Sequence, residues 1–391
     1  MTKTPVRRTP WPESSSRAVV TPLQPSVVYA SESPDALDAQ YEGRAKGYTY
    51  AREGHPNADV LARKIDDLEA ATGGLILGSG MAAISAVMLG LLKSGDHVLG
   101  GNQLYGRTMR MMKEELPRFG VSTTLADPTD AAAMQAALTP ETRLILVEVV
   151  SNPTLRVSDI DGIAALARDR GILLAVDNTF TTPRGFQPFD HGADIVIHSV
   201  TKLLAGHSDA TLGYVAVNDP DRRKQVYDTA VTLGLTPSPF DCWLAERGLY
   251  SFELRYDRAA ENAEKLADAI AGLRNVIRVL YPTRPDHPDH NRATALLGGR
   301  GGNMVCFEIA GCRAVAHAFV PAAPQTPFAP TLGDIGTTLS HPATSSHRAL
   351  SPGARTELGM TEGVFRVSVG VEDADLLIEE FTAAIGAAAG A

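Results

Sequence analysis

Residues 193–209 read ADIVIHSVTKLLAGHSD and hold the strongest single indication of both architecture and chemistry. The β-branched run at Ile195–Ile197 predicts a buried strand, and Ser199, Thr201 and Lys202 follow it directly. A lysine at the end of a buried strand, beside two hydroxyls, is poorly explained as a solvated surface charge. It suits an enzyme that binds an aldehyde cofactor, because the amine can form a Schiff base while the hydroxyls hold a phosphate.

Outward from this stretch, short β-branched runs alternate with amphipathic segments. The runs predict strands at Leu75–Leu77, His97–Leu99, Val121–Leu125, Leu144–Val149, Ile172–Val176, Ile195–His198 and Tyr214–Val217. The amphipathic segments predict helices at Met81–Leu92, Thr108–Phe119, Ala131–Leu138 and Ile160–Arg170. Because such alternation requires crossover connections, we predict an α/β fold with a mainly parallel sheet covered by helices.

The composition of the chain divides it into three regions. Residues 1–57 are rich in Pro, Ser, Tyr and charge and predict an arm. Residues 58–240 form the predicted large domain. Residues 241–391 form a predicted smaller C-terminal α+β domain, with one long helical stretch after Pro239. Its strands are expected near Val276–Tyr281, Met304–Ile309 and Phe365–Val369, and its long irregular segment, Pro321–Ser351, is expected to be functional.

Bulk properties narrow the class of protein. The chain has 391 residues, 44% hydrophobic and 21% charged, with a net charge of −9 and no basic cluster. This balance argues against nucleic acid or an anionic membrane as partner. Cys242, Cys306 and Cys312 lack metal-ligand spacing, so we expect reduced thiols and no metal site. With no signal-peptide core and no apolar run of about 20 residues, a soluble cytoplasmic enzyme is expected.

Polar residues follow the ends of several predicted strands. The turn Ser79-Gly80-Met81 begins a helix and can hold a phosphate at its N-terminus. Asp177 can pair with a protonated pyridine nitrogen, and Tyr105 can stack on a ring or act as an acid or base. Each feature alone is more typical of a helix cap, a turn or a half-buried tyrosine. Their joint occurrence at the carboxyl ends of strands favours a pyridoxal phosphate (PLP) site.

The order SGMAAI, LYG, DNTF, HSVTK and GHSD, closing with HPATSSH and FRVSVGVED, resembles the PLP-dependent enzymes of Cys/Met metabolism. The resemblance runs from about Tyr48 to Asp373. That family includes cystathionine γ-synthase, cystathionine γ- and β-lyases, methionine γ-lyase and O-acylhomoserine sulfhydrylases. The resemblance implies the PLP-dependent transferase fold (fold type I, similar to aspartate aminotransferase) and a trans-sulfuration chemistry, γ-elimination or γ-replacement, on a sulfur-containing or O-acylated homoserine-type amino acid.

The resemblance also implies roles for individual residues. Lys202 would hold the cofactor and move protons. The implied cofactor-binding residues are Ser79, Gly80, Met81, Tyr105, Asp177, Ser199, Thr201 and Lys202. Tyr50 and Arg52 would reach the phosphate of a neighbouring subunit, so that a homodimer is the minimal active unit and a homotetramer the expected assembly. Arg366 would bind the substrate α-carboxylate, with Asn152 and Thr331 beside it.

The chain departs from the family pattern at several positions, and two of them bear on the choice of substrate. Arg107 stands where a small residue is usual; it is either a surface arginine at a helix start or a residue that favours an acidic group at the distal end of the substrate. Gly336 replaces a common glutamate, which argues against recognition of the distal ammonium of cystathionine. Asp334, nearby, resembles methionine γ-lyases and sulfhydrylases.

Several functions stay open on the sequence. Elimination and replacement are not distinguished, and an O-acylhomoserine sulfhydrylase or a β-eliminating C–S lyase fits as well. An aminotransferase on the same fold is disfavoured by the Tyr50-x-Arg52 pattern and by the segment HPATSSH. A non-enzymatic PLP-binding protein is disfavoured because Lys202 and Asp177 are both present.

Overall fold

The computed structural model describes residues 12, 14–348 and 351–388. Residues 1–11 and 13 of the predicted arm, residues 349 and 350 of the predicted functional segment, and residues 389–391 lie outside the described residues. Among the described helices, none combines the length and the apolar content needed to span a bilayer.

Helices and strands alternate along most of the chain. The helices are α1 Pro34–Tyr41, α2 Pro56–Glu69, α3 Gly80–Leu91, α4 Gly106–Arg110, α5 Ala131–Ala136, α6 Ile160–Arg170, α7 Thr182–Gly185, α8 Pro220–Thr232, α9 Pro239–Leu249, α10 Phe252–Ala271, α11 His290–Leu296, α12 Arg313–Ala322, α13 Pro352–Glu357 and α14 Ala374–Ala388. The strands are β1 Leu75–Leu77, β2 His97–Gly101, β3 Ser122–Ala126, β4 Thr142–Glu148, β5 Leu173–Asp177, β6 Ile195–His198, β7 Gly213–Val217, β8 Val276–Leu280, β9 Met304–Ile309, β10 Thr338–Ser340 and β11 Val364–Ser368.

The large sheet has seven strands in the order β1-β7-β6-β5-β4-β2-β3. Strands β6, β5, β4, β2 and β3 are parallel to one another, whereas β7 is antiparallel to both β6 and β1. The predicted mainly parallel sheet is therefore confirmed. Because the strand ends coincide at one edge, the residues that follow β4, β5 and β6 are brought together there.

Both faces of this sheet are covered, as its β-branched strands predict. Side chains alternate along β4: Leu144 and Leu146 face the core formed with α3, while Ile145 and Val147 face the core formed with α6. All four side chains are fully buried. Two apolar layers thus fix the position of the sheet relative to its helices.

The smaller sheet contains only antiparallel pairs, in the order β10-β11-β9-β8. Its core is a cluster of phenylalanines packed against α12 and α14, namely Phe307, Phe319, Phe365 and Phe381. The two sheets draw their strands from opposite sides of residue 240. The boundaries at residues 57 and 240 themselves stay predictions.

Two predicted helices differ from the structure. The stretch after Pro239 is not one helix but α9 and α10, since the Gly248 carbonyl at the end of α9 accepts hydrogen bonds from Ser251 N–H and from Arg255. The predicted helix Thr108–Phe119 is helical throughout but irregular. It passes from α4 into a π-helical turn and then a 3-10 turn, because Pro117 lacks the N–H that an α-helix needs.

Candidate active site

A cavity of about 900 Å³ opens at the carboxyl ends of β4, β5 and β6 and reaches β11 of the smaller sheet. All of the predicted site residues except Tyr50 and Arg52 line it: Ser79, Gly80, Met81, Tyr105, Arg107, Asn152, Asp177, Ser199, Thr201, Lys202, Thr331 and Arg366. These residues come from stretches of sequence up to almost 300 positions apart, so the fold alone assembles them. Their individual roles stay predictions.

The N-terminus of α3 forms one end of the cavity. Ser79 caps the helix, and its Oγ accepts the Ala82 N–H at 3.0 Å. The N–H groups of Gly80 and Met81 have no intrahelical acceptor, because the first turn of a helix has none to offer. A Cβ on Gly80 would lie 2.7 Å from the Ser199 Cβ. Glycine therefore lets α3 approach the end of β6 closely, and a concave anion site results.

The Lys202 amine lies within the cavity, where its Nζ is 3.4 Å from Thr331 Oγ1. Burial lowers the pKa of Lys202 from its ordinary value, and the nearby Arg366 charge lowers it further. A lysine with a lowered pKa supplies the neutral amine that an aldehyde cofactor or a proton transfer requires.

Asp177 ends β5 and is held by Thr179. The Thr179 N–H donates to Asp177 Oδ1 at 3.0 Å, the Thr179 hydroxyl donates to the same oxygen, and the Thr179 Oγ1 accepts the Ser199 N–H at 2.8 Å. Burial raises the pKa of Asp177, while the hydrogen bonds from Thr179 and the charge of His198 oppose this rise. A half-buried carboxylate with few donors suits a cationic partner such as a protonated ring nitrogen.

Arg366 on β11 is 5% exposed. Its Nη1 donates to Asn152 Oδ1 at 2.6 Å and its Nη2 donates to the Thr331 carbonyl at 3.0 Å, while its buried Nε has no partner among the described residues. Burial lowers the pKa of Arg366 to about 10, which leaves the guanidinium charged at neutral pH. A buried cation held only by neutral oxygens is suited to bind a carboxylate.

Glu148 and His347 line the same cavity, and the sequence assigned no role to either. Glu148 ends β4 in register with Asp177, and its Oε1 accepts the Tyr105 N–H at 2.6 Å. Burial, and then the Asp177 charge, raise the pKa of Glu148 well above its usual range. Burial lowers the pKa of His347 to about 4, so its imidazole is neutral at pH 7. The sequence offers one indication that Glu148 belongs to the site: like Asp177, it lies at the end of a strand.

Tyr105 and Arg107 lie at the mouth of the cavity. Tyr105 precedes α4 and is 42% exposed, and Arg107 is exposed in the first turn of that helix. A Cβ on Gly106 would collide with the Ser346 carbonyl oxygen. The start of α4 therefore packs directly on the segment that carries His347, and both sides of the mouth are fixed relative to each other.

Tyr50, Arg52 and Gly336 lie elsewhere among the described residues. Arg52 donates to the Val231 carbonyl at 3.3 Å, and its guanidinium lies 5.6 Å from the Tyr50 ring. Gly336 donates its N–H to Asp334 Oδ1 at 2.9 Å and does not line the cavity. The consequence of the missing glutamate for substrate recognition stays a prediction.

The donor set fits pyridoxal phosphate. A half-buried amine, a half-buried carboxylate, a helix N-terminus and two hydroxyls converge on one cavity, and each matches a group of that cofactor. No group of three or more His, Cys, Asp or Glu residues that could hold a metal ion lies in the described part of the chain. The fold and the site define a PLP-dependent enzyme of the fold-type I class.

Comparison with known proteins agrees with this class. Residues 4–386 match the family described as Cys/Met metabolism PLP-dependent enzyme. The chain is 39% identical to cystathionine β-lyase MetC of Bacillus subtilis, over 95% of this chain and 93% of that protein. It is 36% identical to O-succinylhomoserine sulfhydrylase of Pseudomonas aeruginosa, over 94% of this chain and 90% of that protein.

A solved structure carries the cofactor itself. A Campylobacter jejuni protein described as an O-acetylhomoserine (thiol)-lyase holds a pyridoxyl-lysine phosphate. It superposes with a TM-score of 0.92 at 26% identity, covering 96% of this chain and 97% of that one. The chain belongs to the Cys/Met metabolism family of PLP-dependent enzymes. The predicted family, fold class and cofactor are thereby confirmed.

Proposed function

We propose that this enzyme catalyses γ-elimination or γ-replacement on a homoserine-type amino acid whose side chain ends in an acidic group. O-succinylhomoserine and cystathionine both meet that description. The observation that carries the proposal is the position of Arg107 at the mouth of the cavity, on the same side as Tyr105.

The surroundings of Arg107 support a binding role. A cation in the first turn of a helix is unfavourable, so Arg107 does not serve the stability of α4. Arg110, one turn later, forms an ion pair with Glu114 at 2.8 Å, whereas Arg107 forms no ion pair with any residue that the structure describes. An exposed guanidinium left unpaired beside a substrate cavity favours an anionic ligand.

The remaining residues divide the work of catalysis. Arg366, fixed by Asn152, binds the α-carboxylate and thereby orients Cα toward Lys202. The Lys202 amine takes the proton from Cα and transfers protons at Cβ and Cγ. When bound, pyridoxal phosphate supplies an electron sink for the negative charge that develops at Cα. Asp177 would hold the cofactor at its ring nitrogen, and Tyr105 would stack on the ring.

A product panel tests the reaction. Purified enzyme loaded with PLP is incubated with methionine, cystathionine, cysteine, O-acetylhomoserine and O-succinylhomoserine, each with and without sulfide or cysteine. We expect 2-oxobutyrate from an acidic substrate or, from O-succinylhomoserine, homocysteine with sulfide and cystathionine with cysteine. The Lys202→Ala variant should form none of them. The cystathionine β-lyase at 39% identity makes β-elimination the second candidate. Pyruvate from cystathionine and cysteine, with no 2-oxobutyrate from any substrate and no product from methionine or from either acylhomoserine, would establish it and overturn the γ-chemistry.

We also propose that the arm completes the site of a second copy, with a homodimer as the minimal unit and a homotetramer as the assembly. Tyr50 and Arg52 lie outside their own cavity, and Tyr50 is 41% exposed. The arm also carries the exposed apolar side chains Val19, Val20, Val27 and Val28, which a partner surface would cover. The three free thiols support a reducing compartment, the cytoplasm.

Mixing two inactive variants tests this assembly. Arg52→Ala and Lys202→Ala each lack one part of the site, and we expect both to be inactive alone. When they are unfolded and refolded together, a hybrid dimer has one site with Lys202 from one chain and Arg52 from the other. Recovery of about a quarter of wild-type activity is expected from random pairing. No recovery, with hybrids shown to form, would contradict the exchange of Arg52.

A further inference from the structure

A buried polar cluster lies directly behind the cavity and is not part of its lining. Glu69 at the end of α2, His198 at the end of β6 and Asn178 after β5 are each 1% exposed or less. Glu69 Oε1 accepts a hydrogen bond from Asn178 Nδ2 at 2.9 Å and also bonds to His198 Nε2. One carboxylate oxygen therefore joins the ends of two neighbouring strands to a helix.

Both strand ends carry cofactor-binding residues. Asn178 follows Asp177 directly, and His198 precedes Ser199 directly. The Asn178 N–H donates to the Ile197 carbonyl at 2.9 Å, which ties the two strands together at this level. Any shift of Glu69 would therefore displace Asp177 and Ser199 together, although Glu69 contacts neither.

The charge on Glu69 requires a partner. A fully buried carboxylate is very unfavourable unless a cation or several donors compensate it. The amide of Asn178 supplies one hydrogen bond, and Glu69 Oε2 has no partner among the described residues. His198 Nε2 lies at hydrogen-bond distance from Glu69 Oε1, and the imidazole is the compensating cation when it carries a second proton. That cation then lies behind Asp177, where it opposes the cost of burying the Asp177 carboxylate.

We propose that Glu69 and His198 form a buried ion pair that positions Asp177 and keeps its carboxylate ionised for the cofactor's ring nitrogen. Glu69 and His198 are positioning residues, since neither contacts the reacting atoms. The proposal rests on the role given to Asp177 above, and it does not depend on which amino acid is the substrate.

The Glu69→Gln variant tests the charge while preserving the shape of the side chain. Asp66→Asn is the matched control. Asp66 is a buried carboxylate on the same helix, but it binds the N–H groups of Gly73 and Gly74 and the Tyr214 hydroxyl, away from the cavity. Both variants lose a buried charge on α2, and only Glu69→Gln loses it beside Asp177.

Four quantities are measured: the visible absorption of bound PLP, the Kd of the apoenzyme for PLP, and, on PLP-loaded protein, kcat and KM with O-succinylhomoserine and with cystathionine. For Glu69→Gln we expect an altered absorption spectrum, a Kd raised about tenfold and a kcat lowered about tenfold at saturating PLP. KM should change less than about twofold, because Arg366 is unaffected. For Asp66→Asn we expect a lower Tm with the wild-type spectrum and Kd.

A wild-type spectrum, Kd and kcat in Glu69→Gln would overturn the proposal, as would a kcat that saturating PLP restores in full. If Glu69→Gln does not fold, His198→Gln removes the cation and keeps an amide donor for Glu69; the same changes are expected, and a wild-type spectrum would again overturn the proposal. The spectrum and Kd need no substrate. A wrong assignment of the reaction therefore shows in the product panel and leaves these two measurements interpretable.

Discussion

Arg366 and Asn152 are 214 residues apart in sequence, yet Arg366 Nη1 donates to Asn152 Oδ1 at 2.6 Å. The bond joins β11 of the smaller sheet to the loop after β4 of the large sheet. Since the Thr331 carbonyl holds the other end of the guanidinium, the planar group is fixed before any ligand arrives. A pre-oriented guanidinium loses little conformational entropy when it binds a carboxylate.

Arg366→Lys should therefore weaken substrate binding more than cofactor binding. A lysine cannot make the bidentate contact, and we expect kcat/KM to fall about 100-fold, mainly through KM, with an unchanged PLP spectrum. Arg278→Lys is the control, because Arg278 pairs with Glu308 at 2.8 Å on the same small sheet. A kcat/KM within twofold of wild type in Arg366→Lys would remove the carboxylate-binding role.

Gly80→Ala tests the close approach of α3 to β6. The new Cβ would lie 2.7 Å from the Ser199 Cβ, so the helix N-terminus must move and PLP affinity should fall about tenfold or more. Gly386→Ala in α14 is the control, since a Cβ there meets no atom within 4 Å. It should raise the free energy of unfolding by about 0.5–1 kcal/mol. Unchanged PLP affinity in Gly80→Ala would show that this approach does not matter for binding.

Arg107→Gly tests substrate choice. We expect kcat/KM for O-succinylhomoserine to fall at least about tenfold while that for methionine changes less than twofold, because only the acidic substrate loses an ion pair. Arg118→Gln, which removes an exposed arginine paired with Glu115, should affect neither substrate. If Arg107→Gly changes kcat/KM equally for acidic and neutral substrates, Arg107 does not bind the acidic group of the substrate.

Because of His347, the folded protein should lose stability as the pH falls below neutrality. The pKa of His347 in the folded protein is lowered to about 4, below the usual value of 6.5. As pH falls, the unfolded chain therefore binds a proton at this histidine before the folded chain does. Its contribution to stability is therefore lost as pH falls from about 6.5 toward 4. Between pH 7 and pH 5 the loss from this residue is about 2 kcal/mol.

Chemical unfolding of His347→Gln at pH 7 and pH 5 measures the contribution of His347 to the free energy of unfolding. The control is His317→Gln, at an exposed position of α12. His347→Gln should lose less stability than wild type between pH 7 and pH 5, and His317→Gln should lose as much. Parallel behaviour of all three proteins would mean that His347 takes up its proton equally in both states.

The sequence predicted the cavity because its residues follow strand ends. Lys202, Asp177 and the turn at Ser79 are each adjacent to a β-branched run, and a parallel sheet brings such positions to one edge. Local pattern was enough to place them. The same reasoning carries no information on contacts between distant segments.

The prediction from sequence was incomplete for features that depend on contacts between distant segments. His347 reaches the cavity only because the segment that carries it packs on Gly106, and Glu69 acts from a helix whose own pattern is that of an ordinary amphipathic helix. At the break between α9 and α10, Arg255 donates hydrogen bonds to the Gly248 carbonyl and to the distant Leu203 and Leu204 carbonyls. No local propensity predicts these bonds. Gly336 lies outside the cavity, where its neighbours are Asp334 and the more distant Glu372. Local sequence does not predict that position either.

We propose that Lys202 is the lysine that holds pyridoxal phosphate. PLP-loaded protein is reduced with borohydride, digested, and mapped by mass spectrometry. We predict a pyridoxyl phosphate mass on the peptide that contains Lys202 and on no other lysine peptide, and none at that peptide in Lys202→Ala. A stable modification at another lysine, or none in protein that has bound PLP, would contradict the account.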